Sequence, residues 1–121
     1  MDNETIPLDS SSSSAEEPLY ILSLLNNELM SSSWKLINKN YNIGRSSENN
    51  IILDDITVSR NHALLSVSKD NINILDNNST NGIYINNEIT NGCKIKSGDK
   101  IQIGKYLLLL TEVTKWILVK L

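Results

Sequence analysis

From Leu19 onward the chain is a succession of short apolar runs divided by Asn, Ser, Gly and Asp. Leu19 to Leu25, Trp34 to Ile37, Tyr41 to Ile43, Ile51 to Leu53 and Ala63 to Val67 come first. Ile72 to Leu75, Ile83 to Ile85, Lys100 to Ile103, Tyr106 to Leu110 and Trp116 to Leu121 follow. Several alternate with polar residues, as Ile72 with Ile74 and Ile101 with Ile103 do. A period of two places one set of side chains inside and the other in water, which is the signature of a half-buried strand. Leu107 to Leu110 is unbroken and predicts a strand buried on both faces. Asn86-Asn87, between Ile85 and Ile89, predicts a tight hairpin because asparagine tolerates positive φ. Lys96-Ser97-Gly98-Asp99 and Gly104-Lys105 punctuate the last strands in the same way. No sustained helical periodicity is present, and only Leu22 to Met30 is ambiguous. About ten short strands with frequent turns predict an all-β sandwich.

Composition narrows the setting. A chain of 121 residues, 40% hydrophobic and 21% charged, suits one globular domain with its own core. Asp2, Glu4, Asp9, Glu16, Glu17 and the run Ser10 to Ser14 mark residues 1–18 as a disordered acidic tail, leaving 19–121 as the domain. The tail carries −5. The remaining 11 basic and 9 acidic residues (14 less 5) leave the body at +2. A body so weakly basic argues against nucleic acid, which needs a concentrated basic stripe. No stretch reaches the roughly 18 apolar residues of a membrane span. The polar, acidic N-terminus is no secretory signal, and the lone Cys93 excludes an internal disulfide. An intracellular address follows as the expectation.

The positive charge is lysine except at Arg45 and Arg60, and both arginines fall in loop-like stretches. Arginine matches an oxyanion best because its planar fork donates two parallel hydrogen bonds. Gly44-Arg45 closes one strand, and the glycine permits a sharp turn or a close approach. Ser59-Arg60 lies between the strands at Ile51 and Ala63, and Thr80-Asn81-Gly82 between those at Ile72 and Ile83. Alternate connections of a sandwich gather at one end. These three loops are therefore expected to form a phosphate pocket.

Gly44-Arg45, Ser59-Arg60-Asn61-His62, Ser79-Thr80-Asn81-Gly82, Gly98-Asp99 and Gly104 together resemble the forkhead-associated (FHA) domain, in order and spacing, across Leu19 to Leu121. The resemblance implies an eleven-stranded β-sandwich binding phosphothreonine peptides through loops at one end. It implies that Arg45, Ser59, Arg60 and Thr80 contact the phosphate and that Asn81 holds the ligand main chain. It gives Gly44, His62 and Gly82 supporting roles, with His62 tying the loops from beneath. Thr57 falls where some relatives select the third residue after the phosphothreonine. More narrowly, Tyr41 to Ser47 and Val58 to Leu65 resemble the N-terminal FHA domain of the nibrin family of double-strand-break repair proteins. That likeness implies nuclear signalling in the DNA-damage response.

Other chemistries fare worse. Ser59 and His62 as a hydrolase pair lack the G-x-S-x-G elbow, so no catalytic centre is expected. Asp54-Asp55 has no third ligand nearby and suits a solvated turn or a loop brace better than a metal; neither a metal nor a cofactor is expected. Trp34 and Trp116 suit packing, and Lys39 is a candidate border of the site. In the tail, Ser13 and Ser14 precede Glu16 and Glu17 at the spacing acidophilic kinases favour. Thr5, with Leu8 three residues on, suggests that phosphorylated Thr5 docks into a second copy and makes a homodimer. The rival function is a phosphate-independent interaction domain of the same fold.

Overall fold

The computed structural model describes residues 17–25 and 32–114. Eleven strands run in chain order: β1 Tyr20–Leu24, β2 Ser33–Leu36, β3 Asn40–Gly44, β4 Ile51–Ile52, β5 Ala63–Val67 and β6 Ile72–Asp76. They continue as β7 Ile83–Ile85, β8 Glu88–Thr90, β9 Gly92–Ile95, β10 Lys100–Ile103 and β11 Tyr106–Glu112. A six-stranded sheet, β2-β1-β11-β10-β7-β8, faces a five-stranded one, β4-β3-β5-β6-β9. All pairings are antiparallel except β3 with β4.

The alternating positions make the core. Leu22 lies opposite Leu110, Ile101 opposite Leu108 and Leu65 opposite Ile74, and all six are buried. Burial of each such side chain is worth about 1.5–3 kcal/mol, so a register slip of one residue would expose the whole set. Leu108 and Leu110 are buried, but Leu107 and Leu109 are only half covered. Their cross-strand neighbours are Ser23, Lys100 and Gln102, so this strand has one dry face rather than the two expected.

The Asn86-Asn87 hairpin forms as expected, with φ of 50° and 74°. Strands β8 and β9 do not appear among the apolar runs because Ile95 is their only buried residue. They form by pairing with β7 and β6. The Leu22 to Met30 ambiguity resolves as strand through Leu24, and residues 26–31 lie outside the described residues. The strand expected at Trp116 to Leu121 and the tail over residues 1–16 lie outside them too.

Candidate functional site

The loops after β3, β4 and β6 meet at one end of the sandwich. The first turns at Gly44, where an added Cβ would sit 2.1 Å from the Arg60 carbonyl oxygen. Only glycine permits that approach. With the strands this close, Arg45 N–H donates to Ser59 O at 3.0 Å and Ser46 N–H to Arg60 O at 3.3 Å. Asn49, buried beneath the first loop, donates through Nδ2 to Ser46 O at 2.9 Å and Arg60 O at 2.7 Å. Arg45 itself donates from Nε to Val58 O at 3.0 Å, which orients its guanidinium along the second loop.

His62 joins the second loop to the third. It is fully buried. Its Nδ1 accepts the Ser59 backbone N–H at 3.0 Å, and its Nε2 lies 2.8 Å from Gly82 O. An acceptor Nδ1 and a carbonyl partner at Nε2 select the Nε2–H tautomer. Both ring nitrogens are thereby committed to backbone, and neither serves the Ser59 hydroxyl as a base. Gly82 adopts φ of 79°, a left-handed angle that favours glycine. Its N–H donates to Ser79 Oγ at 2.9 Å, and Ser79 Oγ in turn donates to the Asp76 carboxylate.

Thr80 N–H donates to Ser59 Oγ at 3.0 Å. That bond uses an oxygen lone pair and leaves the Ser59 hydroxyl proton for a ligand. Asn81 Nδ2 donates to Thr57 O at 2.9 Å, so its Oδ1 remains an acceptor. Arg45, Ser59, Arg60, Thr80 and Asn81, the five residues expected to bind, line one cleft of about 250 Å³ with Ile56, Thr57 and Val58. Two arginines and no acidic residue line it, so the cleft favours an anion. Lys39 stands away from it: it precedes β3, whose far end carries the site, and covers the Tyr41 ring at 4.9 Å.

Asp55 is a loop brace. Its Oδ2 accepts Thr57 N–H at 3.0 Å and Thr57 Oγ1–H at 2.6 Å, and its Oδ1 pairs with Lys105 Nζ at 3.2 Å. These bonds, the Thr57 hydroxyl first, lower its pKa to about 2. Lys105 N–H closes the circuit by donating to Thr57 Oγ1 at 2.9 Å. Sequence reasoning missed Asn49, Lys105 and Ile56. For Asn49 and Lys105 no local signal exists, because the partners that give them their part, Arg60 O and Asp55, lie 11 and 50 positions away. Ile56 did carry one, an isoleucine inside a polar loop.

The sequence profile of the FHA domain matches residues 41–104. The chain belongs to the FHA family. An oxoglutarate dehydrogenase inhibitor from Corynebacterium efficiens is 45% identical over 65 residues, 54% of this chain and 46% of that protein. The glycogen accumulation regulator GarA of Mycobacterium tuberculosis is 42% identical over 65 residues, 54% of this chain and 40% of GarA. This FHA chain thus spans less than half the length of either relative. An FHA domain solved in a study of phosphothreonine-dependent FHA domain interactions superposes with a TM-score of 0.73 at 25% identity, covering 79% of this chain and 98% of that one. Both sequence relatives are bacterial, one an inhibitor and one a regulator. The nibrin-like reading and its nuclear, DNA-damage setting find no support among them.

Proposed function

We propose that this FHA domain is a phosphothreonine-peptide-binding module that makes protein–protein contacts conditional on phosphorylation. One observation carries the reading: five donor- and acceptor-bearing residues from three separate loops line a single cleft free of carboxylates. In this reading the Arg45 terminal nitrogens clamp the phosphate, with the Ser59 and Thr80 hydroxyls and Arg60 around it. Asn81 Oδ1 accepts a main-chain N–H of the ligand. Hydrogen bonds to a charged group are worth about 1.5–3 kcal/mol each, enough in combination for a phosphate to decide binding. The likeness to an FHA domain studied for phosphothreonine-dependent interactions supports the same reading. Residues 19–121 then form the module, residues 1–18 a tail beside it, and the address is intracellular.

Calorimetric titration with a phosphothreonine peptide and its unphosphorylated twin tests this. Binding is expected only with phosphate; equal affinities would favour phosphate-independent interaction through a sheet face. The docking of phosphorylated Thr5 into a second copy belongs to the same proposal, although Thr5 lies outside the described residues. Analytical ultracentrifugation of Thr5-phosphorylated protein decides it, and a monomer at all concentrations would rule it out.

A further inference from the structure

Ile56 is 89% exposed, the barest large apolar side chain among the described residues. A lone exposed aliphatic residue is ordinary on a protein surface. Two others have a visible structural use. Ile89 places its Cδ1 3.1 Å from where a Cβ on Gly82 would be, and Leu75 its Cδ1 2.9 Å from the equivalent point on Gly92. Both cover glycines in the same domain. Ile56 instead stands on the wall of the cleft that holds Arg45, Ser59 and Thr80.

Its backbone is pinned on both sides. Asp55 N–H donates to Leu53 O and Val58 N–H to Asp55 O, each at 3.0 Å. Thr57 is held by the Asp55 carboxylate and by Lys105 N–H. The loop therefore fixes the point on the rim from which the side chain projects. Val58, the other apolar residue of the cleft, is buried, so the aliphatic surface at the mouth belongs to Ile56. Water contact along that surface is relieved only when something apolar covers it.

We propose that Ile56 is a specificity-determining contact: it packs against an aliphatic side chain of the ligand close to the phosphothreonine. The domain would then read two features at once, a phosphate in the polar part of the cleft and an apolar neighbour at its lip. This rests on the phosphopeptide reading and adds to it the chemistry of the flanking residue. A preorganised apolar contact of this kind costs little ordering on binding, which favours its use for selectivity.

The test is an array of phosphothreonine peptides carrying leucine or asparagine at each position within three residues of the phosphothreonine. It is probed with wild-type protein and Ile56→Asn, each peptide beside its unphosphorylated twin. So exposed a position tolerates the substitution without unfolding, which circular dichroism checks. Wild type is expected to prefer leucine at one flanking position by about tenfold, equivalent to about 1.4 kcal/mol. Ile56→Asn is expected to remain phosphate-dependent and to lose most of that preference. The same leucine preference in both proteins, or none in wild type, overturns the inference while phosphate dependence stands. Wild-type binding that ignores the phosphate overturns the underlying reading and this inference with it.

Discussion

The two ends of the sandwich are closed by the same device and left in opposite chemical states. At the cleft end the buried polar anchors are His62 and Asn49; at the other it is Asp99, also buried. Asp99 takes Asn86 Nδ2 at 3.0 Å and Lys96 N–H at 2.8 Å, with Lys96 Nζ 3.4 Å away. Burial pushes its carboxyl up, yet the Asn86 and Lys96 hydrogen bonds and the Lys96 charge outweigh this and lower its pKa. Its acceptors are occupied by the domain's own donors. His62 instead satisfies only backbone, the Ser59 N–H and the Gly82 carbonyl. The residues that carry the hydroxyl and guanidinium groups, Ser59, Thr80, Arg45 and Arg60, line the cleft above it. Closing a β-sandwich needs a satisfied polar anchor at either end; a binding site needs donors that the anchor leaves over.

The sharpest way to break this contrast is at Arg45. Arg45→Ala is expected to lower phosphopeptide affinity about a hundredfold, since a bidentate charge-assisted clamp is worth about 3 kcal/mol. Titration and circular dichroism on one sample check it, and near-normal binding by a folded variant would refute the clamp. His62→Ala should cost about 2–4 kcal/mol of stability, combining two unpaired backbone groups with a cavity. Binding should weaken with it. An unaltered melting curve would show that His62 is not the anchor.

Asp99→Ala should cost about 1–2 kcal/mol and leave phosphopeptide affinity unaltered, because it acts at the far end. Its pH dependence follows from the lowered pKa. The carboxylate's contribution is present above the ordinary carboxylate value of about 3.9 and is lost as pH falls through the lower folded value. Melting temperature against acid pH should therefore fall less steeply in Asp99→Ala than in wild type. The smallest effect is local. Protonating Asp55 as pH drops from about 4 towards its pKa of about 2 should release Thr57. The Thr57 amide resonance should shift in that window while core amides hold their positions; no shift would remove Asp55 from the brace.

Much of this was legible before folding because it rests on local rules. Alternation marked β6 and β10; apolar runs marked β5 and β11; paired asparagines marked the hairpin before β8; glycine and arginine together marked the first loop of the candidate site. Where neighbours decide, the reading fell short. Strand β9 has Gly92 and Lys94 in its four residues and exists because it pairs with β6. Leu107 and Leu109 looked as apolar as Leu108, and only the adjoining polar strand residues leave them half exposed.

Side-chain type and spacing along the chain determined the sandwich and its family and picked out the residues proposed to hold a phosphate, because propensity and periodicity act over a few residues. Only the tertiary structure decided that Asn49 locks Arg60, that Lys105 reaches Asp55, and that Ile56 stands bare in a cleft it shares with Arg45 and Arg60. Those contacts join residues as many as fifty positions apart. Hydrogen bonds and burial depend on distance in space, and that distance exists only once the loops have met.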